Sequence, residues 1–180
     1  MALLFETKRL HAYSAEPSLA KDGLLFEVSN REAFAPFALE RDSRYFTLSN
    51  FRQIYRLYDE LYRSRRGVTV LCYEGAEVVS IVSLSQIIYA HSESARLGYS
   101  VDAGHWRQGY GKEAVRGVLT YAFTTLGLHR IEAHILEENI ASIKLIEALG
   151  FTSEGIARHY AKRNGVWEDH IRYALINENS

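Results

Sequence analysis

A single α/β (α+β) domain, with a mixed and largely antiparallel sheet flanked by helices, is predicted by three observations. β-branched runs over 67–73 and 77–89 meet at Glu74-Gly75-Ala76, which reads as a hairpin. Asn164-Gly165, between runs 155–162 and 166–176, is the strongest short hairpin signal in the chain. Between these hairpins a strand-like segment, Ala95 to Val101, leads through a glycine loop into a helix. That helix carries apolar residues at Val115, Val118, Leu119, Ala122 and Phe123, the spacing of one buried face. Antiparallel hairpins on both sides of this unit argue against an all-parallel sheet.

The elements follow in order. Leu3 to Tyr13 reads as one strand. Pro17 suits a first helical turn that Ser14 would cap, and a short helix then runs to about Ser29. Asn30 to Phe37 reads as a connecting segment of aromatic and polar groups. Phe51, Ile54, Tyr55, Tyr58, Leu61 and Tyr62 form one helical stripe, capped by Ser49 or Asn50. Arg63, Arg65 and Arg66 fall near its C-terminus, where the helix dipole favours cations. After the first hairpin, 94–101 is a strand, and Gly127 stops the following helix. His129 to Leu136 is the next strand, and Asn139 caps a helix carrying Ile143, Ile146 and Leu149, which Gly150 closes.

With 180 residues and no repeat or linker, the chain fits one domain over 1–180. Hydrophobic residues are 47% and charged residues 24%, as in soluble globular proteins. A net charge of -1 without a basic tail gives no footprint for nucleic acid. No apolar run is long enough for a membrane span and no signal-peptide core is present, so a cytoplasmic location is expected. Cys72 is the only cysteine, and the seven histidines form no H-x-H or H-E-x-x-H, so no metal site is expected. Twelve tyrosines suit pocket walls or an interface and make a homodimer plausible.

The chemistry centres on Trp106-Arg107-Gln108-Gly109-Tyr110-Gly111-Lys112. A helix start carries unpaired N–H groups and partial positive charge, the glycines clear space, and Lys112 adds a full charge. That combination suits a phosphate or pyrophosphate. A triphosphate P-loop needs Ser or Thr after the lysine, and Glu113 stands there instead. A dinucleotide fingerprint is satisfied by Gly109 to Ala114, with Glu132 near the acidic position, although such a fingerprint usually opens its domain. The pyrophosphate arm of coenzyme A is the third reading.

Leu97-Gly98-Tyr99, Trp106 to Ala114, His129 to Ala133, Asn139 to Ser142, Glu147 to Phe151 and Glu154-Gly155 stand in this order along the chain. Together they resemble the GCN5-related N-acetyltransferase (GNAT) superfamily, in its RimJ/RimL-like branch of ribosomal-protein N-terminal acetyltransferases. The first half joins more weakly, through Glu6 to Leu10 and Asn30 to Glu32. The resemblance implies an acetyl-CoA cofactor. Arg107, Gln108, Gly109, Tyr110, Gly111 and Lys112 would hold the pyrophosphate by backbone N–H groups, with Trp106 where the family has Gln or Arg. Strand 95–101 would splay from strand 129–136 and grip the pantetheine arm near Ser100 and Val101. Asn139 would hydrogen-bond that arm, and Ser142 would place a hydroxyl near the sulfur, so these two are the catalytic candidates. Tyr99, Phe37 and Arg31 would line the acceptor pocket.

Two departures bear on mechanism. The tyrosine general acid of some relatives falls at Ile146, and the glutamate of the strand before the loop falls at Arg96. Glu93 and His134 are the candidates to replace that base, each also readable as an ordinary surface or strand residue. Acetyl transfer needs a neutral amine, a stabilised oxyanion and a thiolate that can leave. Near neutrality roughly a tenth of an α-amine is neutral, against well under a hundredth of a lysine. A site without an obvious strong base therefore suits a protein or peptide N-terminus, of ribosomal-protein alanine or serine type. A backbone N–H near Val101 is the expected oxyanion donor. A non-catalytic CoA-binding module and a small-molecule amine acetyltransferase are the alternatives.

Overall fold

A computed structural model describes residues 2–178. Its centre is an eight-stranded sheet in the order β1-β2-β3-β4-β5-β6-β8-β7. The strands are β1 (Leu3–Glu6), β2 (His11–Ser14), β3 (Val68–Glu74), β4 (Glu77–Ile88), β5 (Ser94–Val101), β6 (Arg130–Leu136), β7 (Thr152–Arg163) and β8 (Val166–Ile176). All neighbours pair antiparallel except β5 and β6, which are parallel. The helices are α1 (Ala20–Ser29), α2 (Arg31–Phe34), α3 (Leu48–Arg63), α4 (Tyr110–Thr124) and α5 (Ile140–Glu147). No helix among the described residues is long and apolar enough to cross a membrane.

Two cores lie on opposite faces of the sheet. On one, α4 buries Val115, Val118, Leu119 and Ala122 against Val70, Val82, Leu84, Ile131 and Ala133. On the other, Leu19, Phe51 and Tyr55 pack on Leu71 and Tyr73. Strand β3 is therefore buried from Val68 to Tyr73 without alternation, as expected where both faces are covered.

Four local expectations are corrected. Leu3 to Tyr13 is not one strand but two, folded back on each other around Thr7–Leu10. Leu10 N–H bonds the Thr7 hydroxyl oxygen at 3.0 Å, giving the backbone a local alternative to the ladder. Pro17 does open a helical turn, a 3-10 turn over Pro17–Leu19. Ser14, however, is buried in β2, and no side chain caps that turn. The stretch 30–37 contains the single-turn α2. The cap of α3 is Thr47, whose hydroxyl accepts from Asn50 N–H at 3.3 Å, not Ser49 or Asn50. At the far end Arg63 pairs with Asp59 one turn back, 2.9 Å apart. The hairpin at Asn164-Gly165 stands as read, with φ of 49° and 89°, the left-handed values that a two-residue turn of this type demands.

Candidate active site

Strands β5 and β6 pair only at Ser94↔Arg130, Ala95↔Ile131 and Arg96↔Glu132. Beyond Arg96, β5 keeps its bonds to β4, and β6 keeps its bonds to β8. The two strands lose each other, so a V-shaped gap opens in which neither inner edge has a strand partner. In a packed sheet backbone groups are costly without partners, which marks the gap as a place for an extended ligand that can pair with strand edges.

The glycine loop closes one end of the gap. Gly109 has φ of 86°, a value that favours glycine, and Arg107 is also left-handed at 59°. The first bond of α4 runs from Glu113 N–H to the Gly109 carbonyl at 3.0 Å. The N–H groups of Gly109 to Lys112 therefore precede the ladder, and no side chain caps them. Lys112 and Arg107 line the same space. Uncapped N–H groups beside two cationic side chains are the chemistry that suits an anionic group. Gly111 has a different role from the one expected. A Cβ there would lie 2.8 Å from Leu145 Cδ1 and 2.9 Å from Val101 Cγ2, so the missing side chain lets α4 sit close to β5 and α5.

The loop is braced from the first half of the chain. Buried Asn30 accepts Ala103 N–H at 2.7 Å and donates to Asp102 at 2.8 Å. Asp102 meets His105 Nδ1 at 2.7 Å. Arg9 pairs with Glu113 at 2.6 Å, donates to the Gln108 carbonyl at 3.1 Å and lies over the Tyr110 ring at 3.8 Å. Thr7 donates to Glu113 at 2.6 Å. Burial opposes ionisation of Asp102 and Glu113. For Asp102, hydrogen bonds from His105 and Asn30 nonetheless hold the carboxyl below the usual range, and Thr7 and Arg9 do the same for Glu113. Two of the named residues, Gln108 and Tyr110, turn their side chains away from the gap. Gln108 Nε2 donates to the Gly104 carbonyl at 2.8 Å, and the Tyr110 hydroxyl donates to Glu74 at 2.6 Å. Only their backbone is left to serve the loop. Trp106 stays at the mouth, its Nε1 donating to the Val101 carbonyl at 2.8 Å.

Across the gap, Asn139 caps α5 by accepting Ser142 N–H on Oδ1 at 3.1 Å. The Ser142 hydroxyl is thus not the cap. It lies 2.6 Å from the Tyr99 hydroxyl, which also reaches the Ser142 carbonyl at 3.1 Å. Burial pushes the Tyr99 phenol up to about 12, against a smaller opposing effect of the Ser142 bond, so it is a neutral donor at pH 7. Tyr99, expected among acceptor contacts, lines the cleft and also forms a hydroxyl pair with Ser142. Ile146 is fully buried in the core, so its side chain offers nothing to the gap.

A cleft of about 1490 Å³ runs through the V and continues on the far side under the segment that links α1 to α3. Ser100, Val101, Asn139 and Ser142 line its middle, and Arg31 and Phe37 its far half. Sequence reasoning missed Glu27, Phe34, Arg41, Tyr45 and Phe46, which line that half too. Arg31 lies over the Phe46 ring at 4.7 Å and Arg41 over Tyr45 at 4.8 Å. Their aromatic and charged character was visible, but nothing in their spacing says that they meet β5 and β6. Glu93 lies outside the cleft lining, on the exposed approach to β5, with φ of 41° and its carbonyl taken by His129 and Arg130 N–H groups. A second, smaller cleft of about 670 Å³ lies between β1 and the outer face of α4, around Phe5, Lys8, Arg116 and Thr120.

Residues 16–152 match a family model described as an acetyltransferase (GNAT) domain. The probable N-acetyltransferase YjcK of Bacillus subtilis (strain 168) is 35% identical over 176 residues, 97% of each chain. A ribosomal-protein-S5-alanine acetyltransferase from Vibrio fischeri superposes with a TM-score of 0.91 at 29% identity, covering 97% of both chains. RimJ of Mycobacterium smegmatis, solved in complex with CoA-disulfide, superposes at 0.89 with 22% identity, covering 94% of this chain and 82% of that one.

Proposed function

This chain belongs to the GNAT acetyltransferase family and uses acetyl-CoA, and we propose that its acceptor is the N-terminal α-amine of a protein or peptide. The observation that carries this reading is the make-up of the cleft's far half. Phe34, Phe37, Tyr45 and Phe46 supply apolar walls, and two carboxylates, Glu27 and Glu40, are balanced by two guanidiniums, Arg31 and Arg41. A polyamine calls for an excess of negative charge, whereas an amphipathic chain end with one cationic amine fits a mixed wall. The likeness to the Vibrio fischeri alanine acetyltransferase supports the same reading.

The chain's residues divide the work along the cleft. The N–H groups at the start of α4, with Arg107 and Lys112, hold the pyrophosphate. The open inner edges of β5 and β6 pair with the pantetheine arm. When bound, the thioester supplies an activated acetyl group. The Tyr99–Ser142 hydroxyls hold a proton where the leaving sulfur needs one. Arg31 and the aromatic wall position the amine, and holding both reactants in one gap supplies much of the rate.

The test is a competition. The protein is given acetyl-CoA with an alanine-led peptide, an N-blocked lysine peptide or spermidine, and thiol release is followed at pH 7. The neutral fraction alone favours the α-amine by on the order of a hundredfold. The expected order of kcat/KM therefore places the alanine-led peptide first. Faster turnover of spermidine or the lysine peptide would refute the assignment.

A further inference from the structure

Building on the acetyltransferase reading above, we propose that His134 is the group that takes the proton from the acceptor's ammonium. His134 lies on β6 two residues past the last β5–β6 pair, Arg96↔Glu132, so it stands inside the open part of the V. Its neighbours Ile131, Ala133 and Ile135 are buried in the core beneath α4. Strand alternation therefore sends His134 to the opposite face, the side on which the Arg31–Phe37 wall lies. Tyr99 packs with the α4-side core. The hydroxyl pair and the imidazole thus flank the gap from opposite sides, as an acid and a base acting on the two ends of one transfer would.

The imidazole is also an anomaly in need of a reason. Its side chain is 7% exposed, and it lines the cleft. Neither ring nitrogen has a hydrogen-bond partner among the described residues. The Glu132 carboxylate is 3.6 Å from Nε2, and the Tyr160 ring packs edge-on at 4.4 Å. A buried polar atom left unpaired is costly. A ring that receives its partner only when an amine arrives accounts for that cost.

The surroundings set its charge. Burial lowers its affinity for a proton, Arg96 on β5 and Arg172 and His170 on β8 act in the same direction, and Glu132 on its own strand opposes them. The net direction is downward from 6.5, so the ring is neutral at pH 7 and offers a lone pair. Glu93, the other candidate, lies outside the cleft.

The ammonium R–NH3+ gives one proton to a ring nitrogen of His134, and the freed lone pair forms the C–N bond. The C–S bond breaks with its electron pair on sulfur, sulfur takes a proton through the Tyr99–Ser142 hydroxyls, and nitrogen loses its second proton to water. His134 returns its proton to solvent. Overall R–NH3+ and the thioester become the amide, the free thiol and one H+.

Two measurements test this. In the intact protein labelled with 15N-histidine, the His134 ring is expected to titrate below pH 6.5 and to shift when the alanine-led peptide is added with CoA present. For His134→Gln, kcat on the wild type's best amine is expected to fall about a hundredfold at pH 7, with acetyl-CoA affinity unchanged. The defect should shrink towards pH 9, where the amine is already neutral. A merely structural role would give the same loss at both pH values. Wild-type turnover in His134→Gln, a pH-independent loss, or a ring unmoved by the peptide would each overturn the proposal. A wild type that acetylates no amine of the panel would overturn the acceptor reading and the role of His134 with it, whereas the other failures, seen in an active wild type, overturn the role of His134 alone.

Discussion

Gly111→Val is expected to loosen the cofactor cradle and the fold together. The added Cβ alone would overlap Leu145 and Val101, at 2.8 and 2.9 Å, and the two further methyls have no room at a buried position. Overpacking of this kind costs roughly 1–3 kcal/mol. To relieve it, the first turn of α4 must move away from β5 and α5, carrying with it the N–H groups proposed to hold the pyrophosphate. Thermal unfolding should therefore shift downward by several degrees, and acetyl-CoA affinity should fall more than tenfold. Unchanged melting with normal affinity would show that the helix start can shift freely. Gly109→Ala separates the two effects, because at φ of 86° it strains the backbone while its Cβ meets nothing closer than Arg9 Nη2 at 3.5 Å.

Ser142→Ala is expected to lower kcat by ten- to a thousandfold, towards the lower end, with acetyl-CoA affinity nearly unchanged. The helix cap is supplied by Asn139 Oδ1 to the backbone N–H of residue 142, which alanine retains. What is lost is one bond to the Tyr99 hydroxyl, worth about 1 kcal/mol, and Tyr99 keeps the Ser142 carbonyl. Stability should thus change little while turnover falls. Tyr99→Phe should produce a comparable kcat defect, and if the two hydroxyls act as one relay the double variant should be no worse than the more impaired single one. Wild-type kcat in Ser142→Ala, with saturating cofactor and chemistry limiting, would remove the pair from the mechanism.

What was legible in the residues is what is set locally. Asn164-Gly165 announces its hairpin because two consecutive left-handed residues need that pair, and the apolar stripe from Val115 to Phe123 announces α4. Asn139 announces its cap. The start of α3 was ambiguous because Thr47, Ser49 and Asn50 can all cap, and only the extended backbone at Thr47, φ of -118°, selects among them. Contacts that close over long separations had no local signal. Tyr99 and Ser142 are 43 residues apart, and Thr7 and Glu113 are 106 apart. What the segment Glu6 to Leu10 does shows only in the fold: Thr7 and Arg9 brace the glycine loop through Glu113 and the Gln108 carbonyl. The fate of Gly111 was misread because a glycine in a phosphate loop can face either the ligand or the packing behind it.

The V between β5 and β6 as the cofactor's seat is tested most directly by backbone amide NMR during titration with CoA. The largest shifts are expected at residues 97–101, 107–112 and 133–136, with little change on the outer face of α4. Shifts centred instead on Phe5, Lys8, Arg116 and Thr120, around the second cleft, would contradict it.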